Sequence, residues 1–189
     1  MVDYTALSHR IAALCEHETN DIALMATIAC EVHHSDDRFD WTGFYRVTEP
    51  QVLKIGPYQG GHGCLVIPFS RGVCGAAARS QEIQIIADVE AFEDHIACSS
   101  STRSELVIPV TNGQGALIAV FDIDSDQPNA FDAQDASALS SILQRSLNGC
   151  RLGLWAPVIF GSAHLPHPTR SKKTPTQSRG SSSSGEMNY

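Results

Sequence analysis

The chain has 189 residues, with 13 Lys+Arg against 21 Asp+Glu, a formal net charge of −8, 42% hydrophobic and 18% charged residues. A chain of that size and apolar content can bury its own core, which excludes a mini-protein dependent on disulfide staples. Residues 1–160 hold 9 basic and 20 acidic side chains and residues 161–189 hold 4 and 1, so the acidic body disfavours a nucleic acid partner.

The opening Met1-Val2-Asp3-Tyr4-Thr5 has neither a basic nor an apolar leader segment, and no apolar run reaches membrane-spanning length. The expectation is a cytoplasmic protein without membrane contact. Leu7, Ile11 and Leu14 recur at helical spacing and predict a first helix. A second follows over Asp21–His33, capped by Asn20 or Asp21, with Ile22, Met25, Ala26 and Ala29 as its apolar face. The middle reads as strands. Trp41–Val47 and Gln51–Ile55 come first, with a turn at Thr48-Glu49-Pro50 between them. A loop containing Gly56, Gly60, Gly61 and Gly63 leads into a strand at Cys64–Phe69, a short helix at Gly72–Ser80 and a short strand at Gln84–Ala87. Asp88–Ser104 is a long polar stretch of the kind that carries function. Leu106–Val110 and Ala116–Ile123 read as buried strands joined through Asn112-Gly113.

The closing helix begins near Asp132, with Asp135 in its first turn and Leu139, Ile142, Leu143 and Leu147 on its apolar face. That face suits packing within the chain and a homodimer equally. From Phe160 onward the Ser/Pro-rich basic sequence lacks the apolar residues to offset ordering entropy, so a disordered tail is expected over 156–189. Strands grouped between terminal helices imply an α+β fold, one domain over 1–155 with a largely antiparallel sheet flanked by N- and C-terminal helices.

Six cysteines remain to be sorted. Cys15, Cys30 and Cys150 lie within helical stretches and read as packing residues. Cys64 and Cys98 lie in Gly-rich or irregular segments, where a thiol keeps access to solvent and to its thiolate form. His62, Cys64, His95 and Cys98 would make a two-His, two-Cys zinc set, although His-x-Cys is not a usual zinc-knuckle spacing. Cys74, in Gly72-Val73-Cys74-Gly75, falls at a helix N-terminus that would lower a thiol pKa, or simply fits a crowded Gly/Ala site. On physical grounds Cys74 and Cys98 compete as nucleophile.

Asp122 and Asp124 alternate with Ile123 and share a strand face, and Glu105 opens the neighbouring strand. Three carboxyls at one sheet end repel, so at least one tends to keep its proton and can donate it. Trp41, Gly43 and Tyr45 also share a face, which would line either a pocket or ordinary core.

Taken in order, Asp40-Trp41-Thr42-Gly43-Phe44-Tyr45, Gly72-Val73-Cys74-Gly75, His95-Ile96-Ala97-Cys98, Arg103-Ser104-Glu105 and Phe121-Asp122-Ile123-Asp124-Ser125 resemble free methionine-(R)-sulfoxide reductases. These are enzymes built on a single GAF-type domain. The resemblance implies reduction of free methionine-(R)-sulfoxide without a metal or organic cofactor. It implies Cys98 as nucleophile, Cys64 as resolving cysteine and Cys74 as an auxiliary thiol. Glu105, Asp122 and Asp124 would engage the sulfoxide oxygen, with Trp41 and Tyr45 around the methyl-bearing sulfur. Thioredoxin is the implied reductant. Asp40 stands where the family has Asn, and Ser99 where an acidic residue commonly follows the catalytic cysteine. A GAF sensor module that binds a small molecule without catalysis is the alternative.

Overall fold

The computed structural model describes residues 2–94, 96 and 98–148, all within the first of two units, Met1–Trp155. The tail expected over 156–189 lies outside the described residues, as do Cys150 and His95. Two helices come first, α1 (Tyr4–Leu14) and α2 (Asp21–His33). Asp3 caps α1 by accepting from Ala6 N, and Asn20 caps α2 by accepting from Ala23 N. Then follow β1 (Trp41–Glu49), β2 (Val52–Gln59), β3 (Val66–Pro68), α3 (Gly72–Ser80) and β4 (Gln84–Ile86). A single 3-10 turn at Val89–Ala91 precedes β5 (Ser104–Thr111), β6 (Leu117–Ser125) and α4 (Ala133–Leu147).

The strands form one six-stranded sheet in the order β3-β2-β1-β6-β5-β4, and every neighbouring pair is antiparallel. This is the expected α+β architecture, with helices on both faces. Strand alternation sorts the side chains into two cores. On one face Phe44, Leu106, Ile108, Phe121 and Ile123 pack against α1, α2 and α4. On the other, Trp41, Tyr45, Val107 and Val120 pack under Val73, Cys74, Ala77 and Ala78 of α3. Gly75 permits that close seating of α3, since a Cβ there would meet the carbonyl oxygens of Pro68 and Phe69 at 2.7 and 2.8 Å.

Asp132 accepts from Gln134 N and Asp135 N, while Asp135 accepts from Asp132 N, a reciprocal capping box that starts α4. The same Asp135 carboxylate accepts from the Tyr4 hydroxyl at 2.5 Å and pairs with Arg38 at 3.3 Å, tying α1 and the turn before β1 to α4. Leu139, Ile142, Leu143 and Leu147 are all buried in the first core. The face offered for a homodimer is therefore used inside the chain.

Several boundaries differ from expectation. Leu14 is exposed because α1 ends as it passes the core. Ile22 and Ala26 of α2 face outward, and Leu24, Met25, Ile28, Ala29 and Val32 are buried instead. Met25, Ile28, Ala29 and Val32 keep the i, i+3, i+4, i+7 spacing, so helical periodicity holds but the buried face is rotated. β2 continues through Gly56-Pro57-Tyr58 rather than breaking there. Its pairing shifts register opposite Gly43/Tyr45, an irregularity of the kind that lets a proline into a strand. β3 is shorter than Cys64–Phe69, so Cys64 sits in the loop before the strand.

Candidate functional site

The second core is incomplete at one end of the sheet, and there the polar residues collect. β5 and β6 pair Glu105 with Asp124 and Val107 with Asp122, while β1 and β6 pair Trp41 with Asp124 and Gly43 with Asp122. Alternation sends Phe121 and Ile123 into the helical core and both aspartates to the opposite face. A cavity of ≈30 Å³ opens there, with Glu105, Asp122, Asp124, Trp41, Tyr45, Cys74 and Cys98 all on its wall.

Trp41 lies across Gly43, stacked on Tyr45 with ring centroids 5.6 Å apart. A Cβ at Gly43 would stand 2.7 Å from Trp41 Cη2, so the glycine is required for that ring position. On its other side Trp41 stacks on Tyr58 at 5.3 Å, a partner that the sequence reading missed by placing residues 56–63 in a loop. The signal available was register, because Tyr58 lies opposite Gly43 and so joins the Trp41 face. The indole Nε1 of Trp41 is buried without a hydrogen-bond partner.

The long stretch after β4 covers the cavity. Gly72 N donates to Asp94 O at 3.0 Å, Ile96 packs over Gly72, and Arg103 N donates to Ser125 O at 2.8 Å. Cys98 in this stretch forms a disulfide with Cys64, with a Cα–Cα separation of 5.1 Å. Both cysteines are half-buried. The bond removes both thiolates from the His62, Cys64, His95, Cys98 zinc set, so that set cannot hold a metal in this form.

Cys74 does stand in the first turn of α3, but its environment reverses the expected direction of its acidity. It is buried, and desolvation with the nearby Asp122 and Glu105 carboxyls pushes its thiol well above the ordinary range. Its Sγ lies 3.9 Å from Glu105 Oε1. The helix terminus would favour a thiolate, whereas burial beside acids disfavours it more strongly.

The three carboxyls behave as electrostatics requires. Burial, then the Asp122 and Asp124 charges, push Glu105 well above the carboxylate range. Burial and the Asp122 charge do the same to Asp124, opposed by a hydrogen bond from Thr102. Asp122 is pushed up to about 6 by burial, opposed by hydrogen bonds from Cys74, Glu105 and the Ile123 backbone, while its Oδ1 has no hydrogen-bond partner. Among the described residues no lysine or arginine pairs with any of the three. Near neutral pH the group therefore holds protons it can donate to a bound oxygen, beside one largely ionised aspartate. Burial similarly raises the Tyr45 phenol, which stays protonated.

Residues 20–145 match the GAF domain model. The chain belongs to the GAF domain family. Within that family it is close both to free methionine-R-sulfoxide reductases and to GAF sensor proteins. It is 35% identical over 140 residues to the free methionine-R-sulfoxide reductase of Escherichia coli, an alignment covering 74% of this chain and 84% of that one. The X-ray structure of the Neisseria meningitidis free methionine-R-sulfoxide reductase in complex with its substrate aligns with a TM-score of 0.72 and 38% identity, covering 78% of this chain and 90% of that one. A Burkholderia vietnamiensis protein described as a GAF sensor aligns at 0.74 and 37%, covering 78% and 92%. No helix among the described residues is long and apolar enough to cross a membrane.

Proposed function

We propose that this chain reduces free L-methionine-(R)-sulfoxide to methionine. The observation that carries the reading is a Cys64–Cys98 disulfide whose Cys98 lines a cavity that also holds three buried carboxyls and a stacked Trp41–Tyr45 pair. In this reading the Cys98 thiolate attacks the sulfoxide sulfur and forms an S–S bond, while a proton from Glu105 or Asp124 assists departure of the oxygen as hydroxide. Hydroxide then attacks the Cys98 sulfur, the S–S bond breaks, methionine leaves, and Cys98 is left as the sulfenic acid. The Cys64 thiol then displaces that oxygen as water, forming the disulfide. A dithiol reductant such as thioredoxin supplies two electrons and two protons to restore both thiols. The cycle calls for a thiol-reducing compartment, which suits the cytoplasm. Trp41 and Tyr45 would bracket the substrate methyl and sulfur, and Asp122 would hold the charge balance of the acid group. Cys74, buried and protonated, would serve only as an auxiliary thiol. Residues 1–155 would form the catalytic unit and 156–189 an appended tail.

The test is turnover on four substrates, the R and S sulfoxides, each free and peptide-bound. Only the free R epimer should react. Cys98→Ser should abolish the reaction, and Cys64→Ser should release about one methionine per chain and then stall under thioredoxin recycling. Full turnover by Cys98→Ser would overturn the proposal. The sensor reading draws on the Burkholderia neighbour, but it gives no task to a disulfide between Cys64 and the cavity-lining Cys98.

A further inference from the structure

Cys74 is a thiol that the reduction cycle scarcely uses, yet it is not an isolated packing residue. Its Sγ, a carboxylate oxygen of Glu105 and one of Asp122 all lie within 4.8 Å of one another, and all three residues are buried. The closest pair, Sγ and Glu105 Oε1, is 3.9 Å apart. A tetrahedral zinc ion, with Zn–S about 2.3 Å and Zn–O about 2.0 Å, needs donor pairs roughly 3.5 Å apart. Side-chain shifts of a few tenths of an ångström close most of that gap for the nearest pair. Two further features point to a cation. Asp122, 5% exposed, accepts hydrogen bonds from Cys74 and Glu105 yet keeps its Oδ1 buried without a donor, and no basic side chain among the described residues neutralises the group. The adjoining cavity leaves open space beside the group.

We propose that Cys74, Glu105 and Asp122 form a site for one borderline-soft divalent cation of the zinc class, with the cavity leaving a fourth position open to water. A sulfur with two carboxylate oxygens suits zinc or cobalt, whereas magnesium and calcium take all-oxygen sets. The ion takes up two of the carboxyls that face the cavity, so it excludes any ligand that needs them.

The test uses full-length oxidised protein carrying Cys15→Ser, Cys30→Ser and Cys150→Ser, so that Cys74 is the one free thiol beside the Cys64–Cys98 bond. Cobalt(II) is titrated and thiolate-to-cobalt charge-transfer absorption is recorded. One cobalt per chain should bind with that band, and zinc should displace it. Cys74→Ala should remove the band, while Asp122→Asn and Glu105→Gln should each weaken cobalt binding at least about tenfold. Absence of the band, its persistence in Cys74→Ala, or unchanged affinity in Asp122→Asn would each overturn the site. Asp122→Asn keeps the measurement decisive if Cys74→Ala does not fold. No turnover is measured, so failure of the metal site and failure of the reductase reading are separate results.

Discussion

Asp122→Asn should make the protein more stable at pH 8 while removing a group its chemistry needs. Asp122 is buried, and its carboxyl is pushed from an ordinary 3.8 to about 6 because desolvation penalises the charge. A folded-state value above the unfolded one means that the folded protein binds the extra proton. Stability from this group is fully present below about pH 3.8 and is lost as pH rises through about 6. At pH 8 the folded wild type carries the ionised form at a cost on the order of 3 kcal/mol, from 1.36 kcal/mol per pKa unit. Asparagine is neutral at every pH, and its amide can place either end where the unpartnered Oδ1 now lies. Urea unfolding of both proteins at pH 8 and near pH 4 should show the variant gaining about 3 kcal/mol relative to wild type between the lower and the higher pH. At 2–4 °C per kcal/mol that is roughly 6–12 °C in Tm. Relief of Glu105 and Asp124, which the Asp122 charge also pushes up, acts in the same direction. Turnover on the free R sulfoxide should fall, a stability–activity trade at one residue. An equal difference between variant and wild type at both pH values would refute the electrostatic account of this cavity.

Gly43→Ala places a Cβ 2.4 Å from Tyr58 Cβ and 2.7 Å from Trp41 Cη2, so the three-ring stack must open. Chemical unfolding should register a loss of about 1–3 kcal/mol, with substrate affinity falling as well. Asp132→Ala removes the acceptor for Gln134 N and Asp135 N at the start of α4. It should cost about 1 kcal/mol and lower Tm by roughly 2–4 °C, read by calorimetry, with turnover per folded chain unchanged. Tyr4→Phe deletes a 2.5 Å hydrogen bond to Asp135, which is also paired with Arg38. A loss of about 1–3 kcal/mol in urea unfolding is expected, because one partner of a charged acceptor disappears.

Much of the fold was legible in the sequence because its local signals agree with its tertiary packing. Asn20 and Asp132 mark helix starts as caps, and α3 occupies the stretch expected of it, Gly72–Ser80. Strict alternation in Phe121–Asp124 separates two core residues from two acids, since successive strand side chains must face opposite ways. The grouping of Glu105 with Asp122 and Asp124 followed from one hairpin and that alternation. The Trp41, Gly43 and Tyr45 face followed from alternation alone.

What only the tertiary structure decided depends on contacts between distant segments. The rotated face of α2 is set by where the sheet lies, which periodicity does not encode. Tyr58 joins the aromatic stack through pairing of β2 with β1, across a proline and a register shift that local rules read as a break. Thr102 reaches Asp124 because it leads into β5, whose Ser104 and Glu105 pair with Ser125 and Asp124 of β6. Cys74 shows the difference most plainly. Its position at a helix N-terminus was readable in the sequence and argues for a reactive thiolate. Its burial beside Glu105 and Asp122 argues the other way and prevails, because removing a charge from water among like-charged neighbours costs more than a helix terminus returns. The acidic composition follows from the sequence alone. Which three of those acids meet in the cavity depends on the packing around them, as does the retention of protons there by Glu105 and Asp124.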